Sequence, residues 1–197
     1  MRETDGKTMY PWSGEFRIGN PDSCVAVATL SCRIDLPEER VAIWGEIRTE
    51  NIGVEKVVAN VISNPNIRRL IVWGEDVKGH RSGDALKALN ENGFDGANRV
   101  LGSSGALPYI ENIDAYAVER YQEQIEVVDM IGNTSMDDLI DAIEENLADC
   151  PDPMEGPYIA IRIEKVAGEG MSVDDSIAVH STLIMDPYGE TGPLEAS

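Results

Sequence analysis

His80 is the residue whose type and setting are best suited to metal or proton chemistry. It is one of two histidines in the 197 residues, and it stands in the stretch 79–83 (GHRSG), directly after the apolar run 69–74. A neutral imidazole binds metals and acts as an acid or base near neutral pH. The flanking glycines allow a bulky ligand to lie against the backbone. His80 is therefore a candidate ligand, and a surface-loop histidine without a role is the alternative.

The lack of companion ligands limits the kind of metal site that His80 can form. Neither a histidine nor a cysteine lies near it in sequence, whereas zinc is typically held by three or four protein ligands. A single histidine suits a metal that a macrocycle already holds and to which the protein adds one axial ligand. Haem and a corrin fit this arrangement equally well. The second histidine, His180, lies in an apolar stretch and is predicted to be a packed or solvated strand residue.

The three cysteines, Cys24, Cys32 and Cys150, match no zinc-binding spacing. The N-terminus is polar and lacks the apolar stretch of a signal peptide, so we expect a cytoplasmic protein with reduced thiols. Cys24 and Cys150 border predicted elements and are expected to pack as small hydrophobic residues.

Three loops are predicted to offer ligand-binding groups, because open α/β sheets bind ligands at the carboxyl ends of their strands. The loops are 48–53, 74–83 and 102–108, and the last two suit a large flat ligand. Neither GxGxxG nor GxxxxGK followed by Ser or Thr occurs, so dinucleotide and NTP binding lack their usual sequence support. The candidate ligand-binding residues are Thr49, Glu50, Asn51, Gly53, Gly74, Gly79, His80, Gly83, Gly102, Ser103, Ser104, Gly105, Ala106, Leu107 and Pro108.

Alternating strands and helices must position these loops. Short apolar runs predict strands, and apolar residues at helical spacing predict helices between them. The strands are predicted at 24–30, 41–47, 69–74, 99–102 and 124–132, and the helices at 53–64, 84–92, 113–124 and from Ser135 to Pro151. The alternation predicts an α/β fold with a mostly parallel sheet and helices on both faces.

The character of the sequence changes after Pro153. We predict one α/β domain over 10–150 and a small C-terminal β extension over 156–190, with strands at 158–166 and 176–185. The extension is predicted to lengthen the sheet or to form a small separate layer. The termini, 1–9 and 191–197, are expected to be flexible.

The net charge of −20 excludes several classes of partner. Nucleic acids and anionic membrane surfaces are bound by clustered Lys and Arg, which this composition disfavours. No run of eighteen apolar residues occurs, so no direct insertion into a membrane is expected. Strong acidity suits solubility and a basic partner, and a salt-rich cytoplasm is a second explanation.

Several stretches closely resemble the A subunit of tetrahydromethanopterin S-methyltransferase. The resemblance is carried by TENIGVEKVVAN (49–60), SNPNIR (63–68) and VKGHRSG (77–83), and it continues through LNENG (89–93), GALPYIEN (105–112) and ERYQEQ (119–124). It covers roughly residues 10–130, far more than a chance match to one motif.

The resemblance implies a Rossmann-like domain that binds a cobamide, either cobalamin or 5-hydroxybenzimidazolyl cobamide. It selects a corrin over haem and makes His80 the lower axial ligand of cobalt and the catalytic residue. It further implies a role in archaeal methanogenesis and one-carbon metabolism. A partner methyltransferase subunit would place a methyl group from methyl-tetrahydromethanopterin, or a similar donor, on the cob(I)amide. The group would then pass to a thiol such as coenzyme M.

Two departures from related proteins matter. Members of the membrane complex end in a transmembrane helix, whereas this chain ends in the acidic segment 156–197, so a soluble homologue is expected. In the separate Asp-x-His-x-x-Gly corrinoid proteins, an aspartate two residues before the histidine accepts its second ring hydrogen. Here that position is Lys78, which cannot accept a hydrogen bond. A backbone carbonyl, Glu75, Asp76 or water is expected to replace it.

Three functions remain open at this point. The chain is a methyl carrier that serves partner methyltransferases, a complete enzyme with its own pterin or thiol site, or a non-catalytic cobamide sensor or storage protein. The carrier is favoured, because the sequence shows no acid–base pair or activated nucleophile of the usual kinds.

Overall fold

The structure is a computed structural model that describes residues 9–30 and 32–160, followed by three short strands between 177 and 193. The chain divides into two compact units, Met1–Arg162 and Ile163–Ser197. The predictions for residues 1–8, 161–166 and 194–197 lie outside the described residues, and residues 158–160, the described start of the predicted strand 158–166, are not in a strand.

The described residues of the first unit form five strands and four helices. In chain order they are β1 (Phe16–Ile18), β2 (Val25–Thr29), β3 (Ile43–Glu46), α1 (Ile52–Ile62), β4 (Arg69–Gly74), α2 (Ser82–Asn92), α3 (Ala115–Gln124), β5 (Glu126–Ile131) and α4 (Met136–Ala148). The strands form one sheet in the order β1-β3-β2-β4-β5, in which β2 to β5 are parallel and β1 is antiparallel to β3. The prediction of a Rossmann-like, mostly parallel α/β sheet is confirmed.

Two details of the predicted sheet are wrong. Residues 99–102 do not form a strand. Asn98, just before them, and Gly102, at their end, both have positive φ, which interrupts the extended backbone, and the segment forms only isolated bridges. The edge strand β1 was not predicted, since it has three residues and two of them are exposed. The third candidate loop therefore follows α2 in the chain and does not extend from a strand of the sheet.

The two faces of the sheet are covered by different helices. In β2, Ala26 and Ala28 belong to the core cluster shared with α1, α2 and α3, whereas Val25 and Val27 belong to the cluster shared with α4. Ser135 begins α4 as expected, with its hydroxyl accepting a hydrogen bond from the Asp138 N–H. The helices thus pack on both faces, in agreement with the sequence pattern.

A disulfide joins Cys24 to Cys150, with 5.9 Å between their Cα atoms. The expectation that these cysteines are reduced thiols is therefore wrong. Cys24 precedes β2 and Cys150 follows α4, and α4 packs across β2 and β4 so that its end lies beside the start of β2. The pairing was hidden in the sequence because 126 residues separate the two cysteines.

Removing this disulfide is expected to lower the free energy of unfolding by about 2–4 kcal/mol, because it closes a long loop in the unfolded chain. Urea unfolding of the Cys150→Ser variant, and of the wild type with and without dithiothreitol, measures the loss. Cys32→Ser is the control, because Cys32 takes no part in the disulfide. A wild-type midpoint that dithiothreitol leaves unchanged would contradict the prediction.

In the second unit, a separate antiparallel sheet has the order β6-β7-β8. Its strands are β6 (Ile177–His180), β7 (Leu183–Met185) and β8 (Thr191–Pro193). The single strand predicted over 176–185 is wrong, because β6 and β7 pair with each other in opposite directions. The polar residues Ser181 and Thr182 separate the two strands in the sequence. Within the described residues, no helix is both long and apolar enough to cross a membrane.

Candidate functional site

Three loops meet beside the carboxyl ends of β3 and β4. The first leads from β3 into α1, the second leads from β4 into α2, and the third, 102–108, belongs to the connection between α2 and α3. Ala106 N–H donates to the Gly79 carbonyl at 3.1 Å, which ties the second loop to the third. The three candidate loops therefore lie together in the fold.

Gly105 is where the three loops come closest. A Cβ atom at this position would lie 2.7 Å from the His80 carbonyl oxygen and 3.2 Å from the Glu50 side chain. The first distance is shorter than real Cβ contacts, and the obstacle is backbone that cannot move aside. Glycine is required here for close approach, because any side chain would push the loops apart.

His80 is paired with Glu50. Its Nδ1 lies 2.8 Å from Glu50 Oε2, and the other carboxylate oxygen accepts a hydrogen bond from the Leu107 N–H at 2.9 Å. The Glu50 side chain is 4% exposed and the His80 side chain is 55% exposed. An ionised carboxylate only accepts hydrogen bonds, so Nδ1 carries the hydrogen. The lone pair of a neutral His80 then lies on Nε2.

The Glu50 carboxyl is held in its ionised form. Burial acts to raise its pKa, but hydrogen bonds from the Glu50 and Leu107 backbone N–H groups and from His80 outweigh burial. The pKa therefore lies below the ordinary value of 4.5. The acceptor that orients His80 is thus fully charged at neutral pH.

The predicted hydrogen-bond partner of His80 is wrong. A backbone carbonyl, Glu75, Asp76 or water was expected, whereas the structure has Glu50 in this role. Asp76 instead accepts hydrogen bonds from Gly83 N–H at 3.2 Å and Asp84 N–H at 3.0 Å, at the start of α2. Glu50 lies thirty residues before His80, so inspection of the flanking residues did not reveal it.

A second polar network joins the start of α2 to the third loop. It was not predicted from the sequence. One oxygen of Asp84 accepts hydrogen bonds from the N–H and hydroxyl of Ser104, at 2.8 and 3.0 Å, and from the Ser103 hydroxyl at 3.2 Å. Arg81 donates to the Ser104 hydroxyl at 2.9 Å and has a φ of +48°. This left-handed conformation is unusual for arginine, and it lies directly beside His80.

Glu55 of α1 holds the far end of the third loop. It is 1% exposed, and it accepts hydrogen bonds from the backbone N–H groups of Glu111 and Asn112 and from the Asn112 side chain, at 2.5 to 2.7 Å. Glu50 and Glu55, both near the start of α1, thus fasten the chain from Leu107 to Asn112. Glu55 is not among the site residues predicted from the sequence.

We expect Glu55→Ala to lower the free energy of unfolding by about 2–4 kcal/mol, because three hydrogen bonds are lost and each contributes about 0.5–1.5 kcal/mol. Urea unfolding measures this change. Glu91→Ala is the control, because it removes an exposed carboxylate from a neighbouring helix. An equal effect of the two substitutions would contradict the structural role of Glu55.

The other candidate residues shape the loops. Thr49 and Asn51 accept hydrogen bonds from the N–H groups of Gly53 and Ile52 at the start of α1. Gly83 packs against Leu30, whose side chain would lie 2.8 Å from an added Cβ. Gly74 and Gly102 have positive φ, and the buried Pro108 accepts a hydrogen bond from Val100. None of these contacts is to His80.

Two of the loops carry exposed apolar side chains. Leu107 of the third loop is 60% exposed, and Val77 of the second loop is also exposed. A Cβ added to Gly79 would meet no atom within 4 Å. His80 Nε2 makes no hydrogen bond within the described part of the chain. Residues 9–30, 32–160 and the three later strands contain no cluster of three His, Cys, Asp or Glu suited to a metal.

Comparison with known proteins gives one consistent family. The family model for the A subunit of tetrahydromethanopterin S-methyltransferase matches residues 5–171. The A subunit of this enzyme from Methanohalophilus mahii is 44% identical over 159 residues, which cover 79% of this chain and 66% of that relative. The A subunit of Mtx, a putative methyltransferase of Methanosarcina barkeri, is 42% identical over 77% of each chain.

A third relative is the A 2 subunit of tetrahydromethanopterin S-methyltransferase from Methanobrevibacter ruminantium. It is 45% identical over 156 residues, or 78% of this chain and 81% of the relative. The chain therefore matches a little under two thirds of the first relative and larger shares of the other two. On the extent of the family match and these identities, the chain belongs to the family of tetrahydromethanopterin S-methyltransferase A subunits.

Proposed function

We propose that the chain binds a cobamide through His80 and serves as a methyl carrier between a methylated pterin donor and a thiol acceptor. The observation that carries the proposal is the His80–Glu50 pair. Glu50 accepts a hydrogen bond from His80 Nδ1 at 2.8 Å. The Nε2 lone pair of the exposed imidazole is therefore available to a ligand. Metal-binding histidines commonly have such an acceptor on the second ring nitrogen.

The residues around His80 would hold the corrin macrocycle. Among the described residues, no side chain or backbone atom lies within 4 Å of a Cβ added to Gly79, and Val77 and Leu107 offer exposed apolar surface. A lone protein ligand suits a metal whose other positions the macrocycle fills. When bound, the cofactor supplies a cobalt centre that accepts a methyl group from one substrate and gives it to another.

The chain's own part in this function is to set and maintain the ligand. Glu50 is buried and fixed by the Leu107 N–H, so it keeps one tautomer and one ring orientation of His80. Gly105 keeps the three loops in contact. Asp84 and Arg81 fasten the third loop to the start of α2. The cofactor would therefore rest on loops arranged before it binds.

A partner methyltransferase subunit is expected to perform the transfer onto the cofactor. The relatives are named as subunits of a methyltransferase. Methyl-tetrahydromethanopterin, or a similar donor, and a thiol such as coenzyme M are the proposed substrates. The cytoplasm is the proposed location.

The test is methyl transfer by the purified chain, loaded with cobamide that has been chemically reduced to the cobalt(I) form. We expect one cobamide per chain to survive gel filtration. We also expect radiolabel from methyl-tetrahydromethanopterin to become bound to the chain when a partner methyltransferase is added, and then to move to coenzyme M. Failure to retain cobamide would overturn the proposal. Retention without labelling would instead identify a cobamide sensor or storage protein.

A further inference from the structure

A separate cavity lies between α1 and the sheet. This α1 cavity has a volume of about 230 Å³ and is bordered by β1, β2 and β3. Its floor includes Ala26 and Ala28 of β2. Strands of parallel sheets usually carry bulky branched residues on both faces, and β2 does so on its other face with Val25 and Val27. Small residues on the α1 face thus leave space beneath the helix.

Four charged groups near the mouth of the cavity neutralise one another. Arg33 and Arg48 each contact both Glu15 and Glu46. Glu15, Glu46 and Arg48 also line the cavity. Two positive and two negative charges are therefore matched, and they leave no net charge for a ligand.

Lys56 adds a positive charge that these groups do not balance. It lines the cavity, makes no ion pair within the described residues, and has its Nζ 5.9 Å from the centre of the Trp12 ring. The chain as a whole has a net charge of −20, so a lysine without an ion-pair partner makes this cavity a local site that favours a negatively charged group. The charge at the mouth is thus opposite to that of the protein as a whole.

Thr49 supplies a polar group near Lys56. Thr49, Gly53 and Lys56 all line the cavity. Their spacing of four and then three residues places them on one face of α1 and of the turn that leads into it. The Thr49 hydroxyl accepts a hydrogen bond from Gly53 N–H at 2.9 Å. Its own hydrogen is donated to no group of the described residues, so it remains available to a ligand.

We propose that the α1 cavity binds a compact aromatic ligand of one or two rings that carries a single negative charge. A cavity of about 150 Å³ accommodates benzene, so 230 Å³ has room for a second ring or a carboxylate. The apolar floor receives the rings, and Lys56 and Thr49 bind the anionic group. This site does not depend on the proposed cobamide function.

The test is a calorimetric titration of the full chain, without corrinoid, with naphthalene-2-carboxylate. We expect saturable binding of one molecule, and binding of the uncharged naphthalene-2-carboxamide about 10-fold weaker, which is the effect of one charge-assisted contact. Lys56→Gln should weaken binding of the carboxylate by about the same factor. Lys78→Gln, an exposed lysine with the same charge change, should leave it unchanged. Val57→Phe fills the cavity and should abolish binding.

Three results would overturn the proposal. They are a titration that does not saturate, equal effects of Lys56→Gln and Lys78→Gln, and wild-type affinity in a folded Val57→Phe variant. If circular dichroism shows that Val57→Phe does not fold, the binding site is located instead from the amide chemical shifts that change when the carboxylate is added to the wild type. Shifts on binding should centre on Thr49, Gly53 and Val57, and shifts elsewhere would show that the carboxylate binds outside the cavity.

Discussion

The His80→Ala variant is expected to lose the bond between cobalt and protein nitrogen and to bind a corrinoid at least about 100-fold more weakly. Loss of a group that merely orients a ligating histidine costs about 10–100-fold in metal affinity, so loss of the ligand itself costs at least the upper value. The measurement uses cobinamide, which has no base of its own. Nitrogen splitting in the electron paramagnetic resonance spectrum of the cobalt(II) form then reports a protein ligand.

Lys78→Ala is the matched control, because it alters an exposed residue of the same loop two positions away. It should retain both the nitrogen splitting and the wild-type affinity. If His80→Ala kept the splitting, another nitrogen of the chain would be the ligand, and the proposed role of His80 would be wrong.

Glu50→Gln is expected to weaken cobalt ligation by about 10–100-fold while the fold is retained. The substitution keeps the shape of the side chain, but its amide nitrogen donates hydrogen bonds, whereas the carboxylate only accepts them. The amide oxygen can serve Leu107 N–H, and the amide nitrogen then faces His80 Nδ1. This arrangement favours the tautomer with hydrogen on Nε2, which removes the lone pair needed for cobalt.

Two measurements separate this effect from general damage. Nitrogen NMR of labelled His80 at about pH 9, above the ordinary range of imidazole titration, should show the hydrogen on Nδ1 in the wild type and on Nε2 in Glu50→Gln. Glu75→Gln, an exposed carboxylate in the loop after β4, should change neither the tautomer nor the affinity. An unchanged tautomer in Glu50→Gln would contradict the argument.

The low pKa of Glu50 also predicts a dependence of stability on pH. Because the pKa in the folded chain lies below 4.5, acid favours the unfolded state, whose carboxyl binds protons more readily. The stabilisation is complete above pH 4.5 and is lost as the pH falls through the folded value. The difference in unfolding free energy between the wild type and Glu50→Gln should therefore shrink below about pH 4, as measured by urea unfolding.

The sequence was sufficient for the parts of the fold that depend on local pattern. The apolar runs of β2 and β4 and the periodic face of α4 have lengths and spacings typical of buried strands and of an amphipathic helix. The three-residue strand β1 has too few residues to show alternation. It is held in place by pairing with β3, and that pairing cannot be seen in the local sequence.

The candidate site, like the fold, could be predicted from the sequence only in part. Glycine spacing around His80 indicated a close approach to the backbone, and loop position indicated which loops would meet. The partner of His80 depends on the approach of the loop after β3 to the loop after β4, which only the folded chain shows. The disulfide between Cys24 and Cys150 was missed for the same reason, since no local feature of a cysteine reveals a distant partner.

The way in which α1 and α2 begin has a consequence for selectivity among small molecules. Nucleotides are usually held in α/β proteins by free N–H groups at the first turn of a helix. Here Asp76 occupies those of Gly83 and Asp84, and side chains of the 48–53 loop occupy those of Ile52 and Gly53. A carboxylate at the start of α2 also repels phosphate. The phosphate groups of compounds such as ATP and NAD would therefore have to displace these side chains, so neither helix start is suited to bind a nucleotide.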